Sequence, residues 1–170
     1  MSLSGKNMNL SWKKHQKLLL AASLLLYCMT IVLLMVFWKD IPDRVPNQVH
    51  VWGKTLSETS QKSFALIPML LIEGMIHLTL SLVSAFPEAW NCKTDGLSKE
   101  KALQSYHLTR TFLLSCQFWC SGFFSSLVLD QAFNFKIPSI FWLVTFGVSL
   151  FVILLYYCIK SFYLKRGSNE

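Results

Sequence analysis

The 170-residue sequence lacks the motifs that most enzymes and disulfide-stabilised domains carry. Its five cysteines form no Cys-x-x-Cys pair and no disulfide framework, and its serine, cysteine and histidine residues form no known nucleophile motif. Cys116 and Cys120 share a helix face, where two thiols within an apolar run are typical of packing. No internal repeat is present. We therefore expect a single domain with no catalytic residue, no metal site and no cofactor.

Charged residues are also scarce, at 15% of the chain, whereas 53% of the residues are hydrophobic. This apolar fraction is higher than that of an ordinary soluble domain. The formal net charge of +7 has the sign that nucleic-acid-binding proteins carry, but the basic residues flank apolar runs instead of forming a patch. The composition therefore indicates a protein whose partner is the lipid bilayer and not a nucleic acid.

Four apolar runs cover residues of about 18–38, 64–86, 108–129 and 138–163. Each run is long enough to cross about 30 Å of hydrocarbon as a helix. The first run is longer than the core of a signal peptide and is not followed by the small residues of a cleavage site. The pattern predicts an all-α membrane protein in which residues 1–170 form one domain with four transmembrane helices.

The distribution of lysine and arginine predicts the orientation of these helices, because basic residues concentrate in cytoplasmic segments. Eleven basic residues lie at one end of the predicted spans, namely Lys6, Lys13, Lys14, Lys17, Lys93, Lys99, Lys101, Arg110, Lys160, Lys165 and Arg166. Five lie at the other end, namely Lys39, Arg44, Lys54, Lys62 and Lys136. We expect a multi-pass protein of the cell membrane with both termini cytoplasmic.

Residues 40–62 form a polar segment between the first two predicted spans, and we call this segment the outer loop. It is longer than most connections between helices, and such loops are usually functional or disordered. Two prolines restrict its backbone, apolar residues are interspersed among the polar ones, and Gly53 allows a positive φ. We predict an ordered extracellular loop on the membrane surface. Its candidate recognition residues are Pro42, Asp43, Arg44, Pro46, Gln48, His50, Trp52 and Gly53.

The outer loop resembles the signature of a bacterial membrane family, domain of unknown function sixteen forty-eight, which includes immunity proteins of the SdpI type. The family pattern is roughly Leu-Pro-x-x-Ile-Pro-x-His-x-Asn-x-x-Gly, followed by a lysine. The matching positions are Ile41, Pro42, Val45, Pro46 and Gly53, with Lys62 near the expected lysine. Gln48 replaces the family histidine, and His50 replaces the asparagine. The resemblance implies an immunity or signalling role in a bacterial cell membrane.

Two ionisable residues, Glu73 and His77, lie within the second predicted span. Their spacing places both on one helix face, and such residues usually face a bundle interior or a water path. Counting inward from the outer face places Glu73 level with Ser121 and His77 level with Gln117. We call these four residues the polar centre and predict that they contact one another. Arg110 lies too near the cytoplasmic face to pair with Glu73 and is expected to be an interfacial anchor.

Three functions are compatible with this pattern. The first is recognition of an extracellular peptide or a membrane partner by the outer loop, as the resemblance implies. The second is a role as an accessory subunit of a membrane transporter complex, which suits a small chain with an apolar fourth span. The third is a proton-coupled transporter or membrane enzyme that uses Glu73 and His77.

The basic start of the chain, Trp12 to His15, is compatible with binding anionic lipid and equally with the ordinary positive flank of a first span.

Overall fold

The computed structural model describes residues 11–48, 57–86, 90, 98–135, 137 and 139–166. Within this part of the chain lie four helices, α1 (Lys14–Phe37), α2 (Lys62–Ala85), α3 (Lys99–Phe133) and α4 (Ser139–Arg166). Two short strands separate α1 from α2, namely β1 (Arg44–Gln48) and β2 (Ser57–Gln61). All four helices are long and apolar enough to cross a membrane. The prediction of a helical protein with four such spans is confirmed.

The third helix is longer than the span predicted for it. It has 35 residues and begins at Lys99, nine residues before the predicted span of about 108–129. The Ser98 hydroxyl accepts a hydrogen bond from the Lys101 amide at 3.4 Å, which caps the helix start. At the other end Asn134 takes a left-handed conformation with φ of 52°, which ends the helix. A span predicted from apolar residues alone misses the polar turns that extend a helix beyond its apolar run.

The outer loop contains a two-stranded antiparallel sheet, which the all-α prediction did not include. The pairing joins Arg44 to Gln61 and Gln48 to Ser57, and we call this pair of strands the β1–β2 ladder. Pro46 lies within β1 opposite Thr59. A proline fits there because each strand of a two-stranded sheet has a free edge, where a missing N–H group breaks no ladder bond.

Helix α3 occupies the centre of the fold. It packs against α1, α2 and α4, whereas α4 packs chiefly against α3. Large apolar side chains are exposed along α1, α2 and α4, including Leu25, Met75 and Phe151. Such extensive apolar exposure is unusual for a soluble protein and fits helices surrounded by lipid.

A small apolar core closes the bundle at the end that carries the β1–β2 ladder. Ile41 and Val45 of the outer loop are almost completely buried there. They pack with Leu34 of α1, Leu66 of α2, and Val128 and Ala132 of α3. The base of the loop is therefore part of the folded core. Burying each of these two side chains contributes about 1.5 to 3 kcal/mol.

Candidate functional site

Buried polar side chains line the interface of α1, α2 and α3 along its length. In an apolar environment each of these groups requires a hydrogen-bond partner to be stable. The buried members include Gln16, Ser23 and Thr30 on α1, Glu73, His77 and Ser84 on α2, and Arg110, Gln117, Ser121 and Ser125 on α3. This polar seam includes all four residues of the predicted polar centre.

Glu73 is 2% exposed and contacts two serines of α3. The hydroxyls of Ser121 and Ser125 donate to its Oε1 atom at 2.8 and 3.1 Å. The Ser121 hydroxyl also lies 3.1 Å from the carbonyl oxygen of Ser23, which brings α1 into the same network. A hydroxyl has a single proton, so Ser121 shares it between two acceptors or donates to one at a time. Three helices thus meet at the Ser121 hydroxyl.

His77 and Gln117, which the sequence placed at one depth, have different partners. The His77 ring stacks on the Tyr27 ring with centroids 5.9 Å apart. The Gln117 Nε2 atom donates to the Ser81 hydroxyl at 3.0 Å, one helical turn beyond His77. Within the described part of the chain, Glu73 Oε2, His77 Nε2 and Gln117 Oε1 are buried without a hydrogen-bond partner. The polar centre therefore has unused hydrogen-bonding capacity.

Sequence reasoning missed several members of this network. Ser125 follows Ser121 by four residues, so helical periodicity alone places both on the face that contacts Glu73. Tyr27 lies on α1, and its hydroxyl donates to the Leu70 carbonyl of α2 at 3.3 Å. No sequence pattern indicated this contact, because it depends on how α1 packs against α2. The close approach of these helices is possible at Gly74, where an added Cβ would lie 2.6 Å from the Tyr27 hydroxyl.

Arg110 is buried against other residues of the chain, whereas the sequence predicted an interfacial anchor. It is 2% exposed, and its Nε atom donates to the carbonyl oxygen of Ser84 at 3.1 Å, in the last turn of α2. Its guanidinium group also lies over the Trp12 ring at 4.6 Å and the Trp90 ring at 5.6 Å. A cation at this place is stabilised by the negative end of the helix dipole and by the two aromatic faces.

At the opposite end of the molecule Lys62 fixes the base of the outer loop. Its Nζ atom donates to the carbonyl oxygens of Trp38 and Ile41, both at 3.0 Å. It also lies 5.3 Å from the Trp38 ring centroid and 3.2 Å from an oxygen of Asp43. The Asp43 side chain is 96% exposed, so this ion pair contributes little. The hydrogen bonds to the Trp38 and Ile41 carbonyl groups are stronger than this ion pair, because in them a charged donor satisfies two carbonyl groups.

The structure describes five of the eight candidate recognition residues. Pro42, Asp43 and Arg44 have exposed side chains beside the Lys62 contacts. Pro46 and Gln48 are placed by their backbone within β1. His50, Trp52 and Gly53 lie outside the described residues, so the predicted positive φ of Gly53 stays a prediction. Among the residues that are described, no three His, Cys, Asp or Glu side chains gather as a metal site would require.

Comparison with protein-family models, with curated proteins and with solved structures found no match to this chain. The resemblance of the outer loop to the family described above stays a prediction from the sequence.

Proposed function

We propose that this chain is a multi-pass membrane protein whose outer loop recognises an extracellular peptide or another membrane protein, in an immunity or signalling role. The attachment of the β1–β2 ladder to the helices supports this proposal. Lys62 binds one carbonyl group at the end of α1 and one in the outer loop, and Ile41 and Val45 are buried in the core. A binding loop that is held at its base loses less conformational entropy on binding than a free tether would.

The orientation belongs to the same proposal. The excess of lysine and arginine at one end favours cytoplasmic termini and an outer loop that faces the outside of the cell membrane. In that orientation the exposed residues Pro42, Asp43 and Arg44 lie beside the membrane surface on the outer side. A partner that binds at this surface would contact a proline and two side chains of opposite charge.

Site-specific photocross-linking in intact cells of the native host tests the proposal. A photoreactive amino acid placed at Arg44 reports partners of the ladder. The matched controls place it at Leu143, an exposed position on α4, and at Glu100, an exposed position at the opposite end of the molecule. We expect a discrete adduct from Arg44 that neither control position yields.

Two outcomes contradict the recognition proposal. Adducts from Leu143 together with none from Arg44 would favour an accessory subunit that is bound through α4. Equal, diffuse labelling from all three positions would show that the ladder contacts no particular partner.

A second candidate function is suggested by the unpaired atoms in the polar centre. Glu73 Oε2, His77 Nε2 and Gln117 Oε1 are buried on facing helices without partners among the described residues. Ionisable groups at such a depth often belong to proton or ion pathways. Carboxyl and hydroxyl groups can exchange donor and acceptor roles, so the contacts of Glu73 with Ser121 and Ser125 are compatible with proton transfer.

Proton flux in proteoliposomes tests this second candidate. Glu73→Gln keeps the shape of the side chain and removes its titration, and Glu100→Gln makes the same change at an exposed helix end. A proton pathway predicts flux that Glu73→Gln abolishes and Glu100→Gln preserves. Absence of flux through the unmodified protein, or equal flux through both variants, would exclude a pathway through Glu73.

A further inference from the structure

A basic pocket lies where the starts of α1 and α3 meet the end of α4. It has a volume of about 350 Å³, and its lining includes Lys13, His15, His107 and Lys160. No acidic residue is among the described residues that line it. Neither lysine forms an ion pair with a described residue. Within the described part of the chain no acidic side chain neutralises these charges, so the pocket suits an anion.

The wall of the basic pocket is held in place by hydrogen bonds between α1 and α3. The Gln16 Nε2 atom donates to the carbonyl oxygen of His107 and to the Thr111 hydroxyl, both at 3.1 Å. The Thr111 hydroxyl also lies 3.2 Å from His15 Nε2. His107 is only 9% exposed, and its Nδ1 atom has no hydrogen-bond partner in the described part of the chain. The pocket thus has a fixed polar wall with an unpaired buried group.

An apolar groove between α3 and α4 continues from this pocket. The groove has a volume of about 250 Å³ and shares Leu108, Thr111 and Tyr156 with the basic pocket. Its remaining lining is mostly apolar and aromatic, with Phe112 on α3 and Ile153 on α4. Because α4 packs chiefly against α3, this groove lies at the outside of the bundle, where lipid has access.

We propose that the basic pocket and the groove together bind one anionic phospholipid. The phosphate group lies against Lys13 and Lys160, and an acyl chain follows the groove beside Phe112 and Ile153. A charged cavity joined to an apolar one complements a molecule with an anionic head and an apolar tail. The basic pocket alone falls within the range of small-molecule sites, about 300 to 1,000 Å³.

The position of the site supports this ligand over a free phosphate. His107 lies near the start of α3 and Lys160 near the end of α4, so the basic pocket is at the level of the head groups. The basic-residue bias predicts this end to be cytoplasmic, and the cytoplasmic leaflet is the one that is rich in anionic lipid. A free phosphate has no apolar part that would occupy the groove. The inference is independent of the outer loop and of the function proposed for it.

Native mass spectrometry of the full-length protein in a mild detergent tests the proposal. The probes are phosphatidylglycerol, phosphatidylcholine with the same acyl chains, and glycerol phosphate, which is a head group without a tail. We expect one phosphatidylglycerol per chain, bound about tenfold more tightly than phosphatidylcholine, because the two lysines attract its net negative head group, whereas the choline cation makes the other head group neutral and is itself repelled. We expect glycerol phosphate to bind far more weakly than the intact lipid, since it leaves the groove empty.

Two pairs of variants locate the site. The double variant Lys13→Gln/Lys160→Gln should remove the preference for phosphatidylglycerol, whereas Lys14→Gln/Lys17→Gln removes two charges from exposed positions on α1 and should keep it. Ser115→Phe places a ring in the groove and should weaken binding of both lipids. Val148→Phe adds the same ring at an exposed position on α4 that lines neither cavity and should leave binding unchanged.

The proposal is overturned if the unmodified protein binds the two lipids equally, a result that does not depend on any variant folding. It is also overturned if the two lysine double variants lose the preference equally. Glycerol phosphate binding as tightly as phosphatidylglycerol would assign the basic pocket to a free phosphate instead.

Discussion

At the scale of single residues, Gly74 sets the distance between α1 and α2. A Cβ atom at this position would lie 2.6 Å from the hydroxyl and 3.3 Å from Cζ of Tyr27. We expect Gly74→Ala to displace the Tyr27 ring, to break its hydrogen bond with the Leu70 carbonyl, and to lower the free energy of unfolding by about 1 to 3 kcal/mol. Reversible unfolding in detergent micelles, followed by circular dichroism, measures this change.

Gly122 provides the matched control, because an added Cβ there meets no atom within 4 Å. Gly122→Ala should therefore stabilise α3 by up to about 1 kcal/mol, as alanine does in a helix interior. Combining Gly74→Ala with Tyr27→Phe removes the clashing hydroxyl and should recover part of the loss. A Gly74→Ala variant as stable as Gly122→Ala would refute the proposed close contact.

Ser121 contributes to stability through its contacts with two other helices. Its hydroxyl lies within hydrogen-bond distance of Glu73 and of the Ser23 carbonyl, whereas the Ser126 hydroxyl donates to the Gly122 carbonyl of its own helix. Ser121→Ala should lower the free energy of unfolding by about 1 to 3 kcal/mol. The same substitution at Ser126 should change it by less than about 1 kcal/mol. Equal effects of the two changes would mean that the contact with Glu73 contributes nothing to stability.

The sequence predicted part of this network and not the rest. Counting depth along antiparallel helices was sufficient to join Glu73 to Ser121, because both lie near the middle of long, regular helices. The same count placed Gln117 beside His77, but its amide reaches Ser81 instead. Depth fixes the level of a residue and not its rotation about the helix axis. The stacking of Tyr27 on His77 depends on that rotation, so no sequence pattern indicated it.

At the scale of elements, Lys62 joins the start of α2 to the end of α1. Replacement by methionine keeps the apolar part of the side chain and removes the charge that satisfies the Trp38 and Ile41 carbonyl groups. We expect Lys62→Met to lower the free energy of local opening by about 2 kcal/mol, since hydrogen bonds from charged groups are the stronger ones. Hydrogen–deuterium exchange of the β1 and β2 amides should then be roughly thirtyfold faster.

Lys39→Met is the control, since it removes a charge at the same end of the molecule from an exposed side chain. The exchange of the β1–β2 ladder should be unchanged in this variant. If Lys62→Met also left the exchange unchanged, the burial of Ile41 and Val45 alone would hold the loop.

The four helices were predictable from the sequence, whereas the strands and the true length of α3 were not. A run of about 20 apolar residues has few structural alternatives in a membrane protein. The strands have only five residues each, and the predicted loop contained no alternation long enough to indicate a ladder. The first turns of α3 are polar, so hydropathy assigned them to the connection, although Ser98 followed by Lys-Glu-Lys is a helix start by capping.

At the scale of the whole molecule, the central position of α3 follows from its composition. It is the least apolar of the four candidate spans and also the most buried. A helix that packs against three others has little surface facing lipid, so polar side chains are tolerated on more of its faces. This signal is present in the sequence, but it does not tell which neighbours α3 contacts. The attachment of α4 to α3 depends on aromatic pairs such as Phe123 and Phe146, whose centroids are 4.3 Å apart.

If all four helices cross the membrane, both termini lie on the same side, because the number of crossings is even. The Lys/Arg bias then selects the cytoplasmic side for the termini and the outside for the outer loop. In a protein whose five native cysteines are replaced, a single cysteine at Thr55 should react with an impermeant thiol reagent in intact cells. A cysteine at Ser98, at the start of α3, should react only after permeabilisation. The reverse labelling pattern would show that the protein has the opposite orientation in the membrane. Labelling of both positions in intact cells would mean that α2 does not cross the membrane.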